Sequence, residues 1–327
     1  MRRRALRWLF GGLALLCAAS SAGAHEVRPA VLDIREVGER SYAVSLRLPV
    51  RDGEPLAVSL RHPDHCTPMG PPARERERDW LTVTSALACE RDLRGERLEM
   101  PGLDATLTDM LVGFTGLDGG TATLRATPGE PSVTLPARAD ALGTMATYVS
   151  LGFGHILEGW DHLAFVFMLL LLVRGWATLV KAVTAFTLAH SITLAAAVLG
   201  VAGLPPGPVE TVIALSIALL AAEVIRTGPE TLARRAPWLV AFAFGLLHGF
   251  GFAGALAEIG LPDGQVPLAL LSFNIGIEAG QLAFVAAVGL LLVPLSRVGW
   301  RPRADRVMAY GVGAVATAWT LERALAL

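Results

Sequence analysis

The chain has 327 residues, 53% of them hydrophobic and only 17% charged, with a mean hydropathy of +0.51. That balance excludes a disordered chain and argues against an ordinary soluble enzyme; it points to a membrane protein with a polar portion attached. A formal net charge of −1 offers no basic field to nucleic acid, and three cysteines are too few for a disulfide scaffold or a multi-cysteine metal cluster.

Residues 1–24 read as a signal peptide. Arg2, Arg3, Arg4 and Arg7 form a positive start, residues 8–19 are apolar, and Ala22 and Ala24 are the small residues expected before a cut. Cleavage would leave His25 as the first mature residue. An uncleaved anchor is the alternative, although about 12 apolar residues are short for a span.

Residues 25–140 read as a small exported β-sandwich. Short β-rich runs at 30–37, 42–50, 56–60, 81–86, 121–126 and 132–135 are separated by Gly, Pro and charged clusters. The stretch 68–79, proline-rich then charged, is expected as an exposed loop. Cys66 and Cys89, in an exported segment, most simply form one disulfide closing a hairpin-like loop; a free pair is the alternative. His62, Asp64 and His65 flank Pro63 and read as a surface turn, with metal capture as the competing reading.

Residues 141–327 read as a transmembrane helical domain of about six spans. Residues 182–204 and 236–257 carry no Asp, Glu, Lys or Arg, 209–225 is apolar but for Glu210 and Glu223, 266–293 is apolar but for Glu278, and 307–321 is a shorter final span. Residues 142–173 suffice for a surface or re-entrant turn followed by a span. With 25–140 outside, the inner loops 174–181, 226–235 and 297–306 hold Arg174, Lys181, Arg226, Arg234, Arg235, Arg297, Arg301, Arg303 and Arg306. The outer loops 204–208 and 258–265 hold no Lys or Arg. This asymmetry expects a bacterial inner-membrane protein with its N-terminal domain and C-terminus periplasmic.

Polar residues at membrane depth are costly and usually face partners or water. His155 and His162 are seven apart, on one face if the helix is continuous, with Glu158 between them and Asp161 placed to ligate or to orient an imidazole. Downstream come His190 with Thr187, Ser191 and Thr193; Ser216 and Glu223; His248; and Asn274, Glu278 and Gln281 at helical spacing. Gly245 with Gly249, and Gly276 with Gly280, bracket His248 and Glu278 as GxxxG pairs that let helix backbones approach closely. Convergence of these groups would make a site for a borderline divalent metal. Glu210 reads as interfacial, and Glu322 and Arg323 as a pair at the final helix end.

The stretch His155-x5-Asp161-His162 resembles the HupE/UreJ family of hydrogenase and urease accessory membrane proteins. The runs 185–194, 244–252 and 273–281 are similar to those of a HupE/UreJ subgroup with an exported N-terminal domain. The resemblance implies a nickel or cobalt permease of six or so helices, with the first motif's metal-binding role falling on His155, Asp161 and His162. The chain departs from the better-known motifs in having Ile156 after the first His and a single His, His248, in the second His-rich motif.

These readings combine into a secondary transporter for a divalent transition metal, nickel or cobalt. His155, Asp161 and His162 would form the entry or central site. His190, His248, Asn274 and Glu278 would complete it, with Glu158, Glu223 and Gln281 as proton relays or accessory groups. The chain lacks G-x-x-x-x-G-K-[ST], which argues against ATP-driven pumping by this chain alone. Three other classes stay open: an intramembrane hydrolase holding zinc near Ser191, a non-transporting accessory or sensor whose residues 25–140 bind a periplasmic partner, and a bis-His haem protein. Metal ion and membrane lipid are the expected partners, and nucleic acid is not.

Overall fold

The computed structural model describes residues 29–51, 53–137, 141–227, 231–259 and 265–327, with backbone alone over 252–259. The expected signal peptide, His25 and Asp263 lie outside the described residues. Two compact units emerge: Val27–Leu151 with Ala255–Ile275, and Gly152–Gly254 with Gly276–Leu327.

The first unit is built on ten strands: β1 (Ala30–Gly38), β2 (Ser41–Arg51), β3 (Glu54–Pro55), β4 (Cys66–Pro68), β5 (Ala73–Arg76), β6 (Trp80–Cys89), β7 (Arg97–Glu99), β8 (Met110–Thr115), β9 (Thr121–Ala126) and β10 (Ser132–Thr134). Eight form one mixed sheet ordered β4-β6-β2-β1-β8-β9, with β3 on β2 and β5 on β6. All the pairings are antiparallel except β1 with β8, which a crossover makes parallel. Alternation along β2 sends Tyr42, Val44, Leu46 and Leu48 inward, joined by Leu32 and Ile34 of β1 and by Met110, Val112 and Phe114 of β8.

The expected sandwich is not what covers this face. The second sheet is only β7 with β10, and residues outside strands supply much of the lid: Val58, Leu93, Met100, Leu103 and Leu135. Residues 56–60, expected as a strand, cross the face without a ladder. Their backbone N–H groups go to separate acceptors, Leu56 to the Pro49 carbonyl and Ser59 to that of Pro101. The stretch 68–79, expected as loop, contains β5, whose four residues are all exposed.

One fastening ties the lid to the sheet, and a disulfide staples the sheet itself. Tyr42, fully buried, donates its hydroxyl to Asp92 Oδ1 at 3.0 Å and accepts the Leu93 N–H at 3.1 Å. Burial, with Asp92 nearby, raises its phenol pKa to about 12. Cys66 and Cys89 sit opposite each other in the β4–β6 register and form a disulfide. Closing that loop removes unfolded-state entropy worth about 3 kcal/mol.

The helices are α1 (Ala141–Glu158), α2 (Trp160–Leu172), α3 (Trp176–Val198), α4 (Pro206–Ile225), the short α5 (Leu232–Arg235), α6 (Pro237–Ile259), α7 (Val266–Arg297) and α8 (Arg301–Leu325). Among the described residues, α3, α4 and α7 are long and apolar enough to cross a membrane, and α1 with α2 make a fourth candidate bent by 75°. Six spans are thus not all seen among the described residues. Helix α6 is apolar over Pro237–Gly251, and α8 carries Arg301, Arg303, Asp305 and Arg306 in its first turns.

The bend means that residues 155–162 are not one continuous helix, so the condition for His155 and His162 to share a helical face is not met. Helix α1 stops at Glu158 and α2 starts at Trp160, with Gly159 extended between them. A Cβ on Gly159 would lie 2.9 Å from both the His155 carbonyl oxygen and His162 Nδ1, so the hinge requires glycine.

Candidate metal site

The bend determines the geometry of the first motif. On a straight helix, seven residues separate His155 and His162 by about 10 Å along the axis. Across the Gly159 hinge their ring centroids are 4.8 Å apart. His162 is the hub: its ring lies 5.1 Å from that of His248 on α6 and 6.0 Å from that of His190 on α3.

Close helix approach makes this meeting feasible. A Cβ on Gly245 would come within 3.0 Å of Ala189 Cβ, and one on Gly249 within 3.0 Å of the Leu194 nitrogen. Helix α6 therefore lies backbone-on-backbone against α3, as a GxxxG pair allows. Gly280 of α7 gives a similar approach, with Ile156 Cβ at 3.2 Å from its would-be Cβ.

Hydrogen bonds set the tautomers of two rings. His162 Nδ1–H donates to Asp161 Oδ1 at 3.0 Å, and the same oxygen accepts the His162 backbone N–H at 2.8 Å. His248 Nδ1–H donates to the Phe244 carbonyl at 2.9 Å. Each bond leaves Nε2 as the lone-pair nitrogen, the arrangement of metal-binding histidines oriented by a neighbour. Nε2 of His162 and of His248, and both ring nitrogens of His190, are buried without a hydrogen-bond partner. Such nitrogens are expensive to bury unsatisfied, and a cation is what their lone pairs can take.

Aromatic rings line the cluster. Phe186 lies 4.9 Å and Phe165 5.3 Å from the His248 ring, centroid to centroid. Phe165 was not singled out in the sequence; its position one helical turn after His162 was the available signal.

The other predicted residues fall into separate places. Glu278 accepts a hydrogen bond from Thr184 at 2.6 Å, and Gln281 Oε1 accepts one from Thr187 at 3.0 Å, so α7 and α3 share a polar seam. Thr184 was not anticipated, although it sits one turn before Thr187. Asn274 belongs to the first compact unit, where it donates to the Leu270 carbonyl at 2.7 Å. Glu158 is exposed. Glu223 bonds to Thr231 and to Arg234, so its carboxylate is engaged at the α4–α5 connection and not with an imidazole. Ser191 donates to the Thr187 carbonyl at 2.7 Å. Arg323 reaches Glu210, 3.8 Å away on α4, in place of the expected partner Glu322.

The imidazole cluster is open. Among the described residues, the only three-residue group whose metal-ligating atoms all lie within 4.8 Å of one another is His65, Cys66 and Cys89 in the first unit. The membrane rings approach pairwise, without a closed three-donor cage.

A family model described as HupE / UreJ protein matches residues 132–323, more than half of the chain. A comparison with curated proteins found no match.

Proposed function

The chain belongs to the HupE/UreJ family, and on that footing we propose that it is a permease carrying a divalent transition metal, nickel or cobalt, across the bacterial inner membrane. One observation carries the proposal. The buried ring nitrogens of His162, His190 and His248, on three helices, have lone pairs that no protein donor satisfies. Borderline ions such as Ni²⁺ and Co²⁺ favour imidazole. An open set of such ligands binds weakly enough to release.

In this reading Asp161 holds the His162 ring and balances part of the ion's charge. Phe165 and Phe186 restrict water beside His248. Glu278 and Gln281, tied to α3 through Thr184 and Thr187, keep a polar lane beside the imidazoles. The cationic loops support a topology with residues 25–140 and the C-terminus in the periplasm.

The test is ion flux. Protein reconstituted into liposomes loaded with a chelator should take up nickel or cobalt saturably, with the two ions competing. Liposomes that bind these ions without accumulating them would overturn the proposal.

A further inference from the structure

The exported unit contains a second cluster of metal-ligating atoms that the permease reading does not use. His65, Cys66 and Cys89 bring one nitrogen and two sulfurs within 4.8 Å of one another. Cys66 Sγ is 3.6 Å from His65 Nδ1. Across a tetrahedral ion, with metal–sulfur about 2.3 Å and metal–nitrogen about 2.0–2.1 Å, the sulfur-to-nitrogen separation is about 3.6 Å.

The backbone holds these donors in place. Cys66 and Cys89 are directly paired in the β4–β6 ladder. The turn at Pro63 is closed by the Cys66 N–H on the Pro63 carbonyl, and the His65 carbonyl accepts the Glu90 N–H just past β6, both at 2.9 Å. All three side chains are largely buried. The remaining ring nitrogen, His65 Nε2, is buried without a hydrogen-bond partner and lies 3.4 Å from Glu96 Oε1. With Nδ1 on a metal, Nε2 must carry the proton and can donate it to Glu96, the carboxylate–histidine–metal relay common around metal sites. Arg91 lies 3.6 Å from the same oxygen and fixes the carboxylate.

We infer that His65, Cys66 and Cys89 form a redox-gated site for a thiophilic transition-metal ion, closed as a disulfide and opened by reduction. The step balances through thiol–disulfide exchange with a dithiol reductant. The reductant's two thiolate sulfurs become its own disulfide, the Cys66–Cys89 bond breaks, and two thiols result. Binding of a divalent ion then releases two protons, leaving two thiolates and one imidazole on the metal. Two thiolates with one imidazole select zinc, nickel, cobalt or cuprous ions over calcium and magnesium. The pair's strand register keeps both sulfurs adjacent after reduction, so the site forms without refolding.

The test uses the full chain with Cys17→Ser, so that Cys66 and Cys89 are the only thiols. The protein is reduced anaerobically with a phosphine, which does not compete for metal, and titrated with Co²⁺. Reduced protein should show a thiolate-to-cobalt charge-transfer band saturating at one ion per chain, and oxidised protein should show none. Cys89→Ser should abolish the band, and Glu96→Gln should weaken binding by about 10–100-fold while keeping it. Reduced, folded protein without the band overturns the inference, as does a band that survives Cys89→Ser. Comparing oxidised with reduced protein needs no variant of the pair, so misfolding cannot mask the answer. Imidazoles give no thiolate band, so the result is independent of whether the membrane unit transports.

Discussion

Asp161 and His162 are joined twice: one carboxylate oxygen accepts both the backbone N–H and the ring Nδ1–H of His162, at 2.8 and 3.0 Å. The two hydrogen bonds fix the ring's rotation and its tautomer together. The His162 ring also lies 4.8 Å from that of His155 and 5.1 Å from that of His248. Asp161→Asn keeps an oxygen for the backbone bond and removes the charge. Nickel affinity and uptake are expected to fall about 10–100-fold, the usual effect of losing a carboxylate behind a metal-binding histidine. Equilibrium binding and uptake measured on the same preparation check this.

Gly249→Ala should separate α6 from α3. The new Cβ would meet the His190 carbonyl, Thr193 Oγ1 and the Leu194 nitrogen. Overpacking of this kind costs about 1–3 kcal/mol. Thermal unfolding in detergent is expected at lower temperature, with uptake reduced because His248 shifts away from His190. Gly289→Ala, where a Cβ meets nothing within 4 Å, is the matched control.

Gly102 has φ of +92°, and a Cβ there would strike the Ala57 carbonyl oxygen in the 56–60 crossing. Gly102→Ala therefore combines backbone strain with a clash and is expected to cost about 1–3 kcal/mol in the first unit. Faster proteolysis within residues 53–105 of the full chain is the readout.

Tyr42 supplies a pH dependence with a definite sign. Its folded pKa of about 12 lies above the ordinary tyrosine value near 10. Its contribution to stability is whole below pH 10 and is lost as pH rises through 12. Ultraviolet titration should show a tyrosine step near pH 12 that is missing in Tyr42→Phe. Loss of the bonds to Asp92 and Leu93 in that variant should cost about 1–2 kcal/mol at neutral pH. A Tyr42 step near pH 10 would contradict the buried geometry.

Period-two alternation made β1, β2, β6, β9 and β10 legible within a few residues, and long apolar runs exposed α3, α4, α6 and α7. Pairing partners were not legible. Nothing local in β8 announces its parallel match to β1, and residues 56–60 have strand composition but bond to scattered acceptors. The four membrane histidines could be picked out because imidazoles are rare in apolar runs. Their mode of meeting could not, since spacing alone puts His155 and His162 on one face of a straight helix. Gly159 was in plain view between them, yet its effect depends on the 75° bend that packing imposes. Glu223 looked like an intramembrane acid because Arg234, eleven residues on, folds back to it only in three dimensions.

The most direct test of the central claim is nickel uptake into liposomes by the native chain, His162→Ala and His248→Ala, at matched amounts of folded protein, with Leu290→Ala on an exposed position of α7 as control. Both histidine variants should lose at least about 10-fold in initial rate, as removal of a ligand exceeds the effect of removing its supporting carboxylate, while the control keeps the native rate. Native uptake that persists in both histidine variants would contradict an ion route through the imidazole cluster.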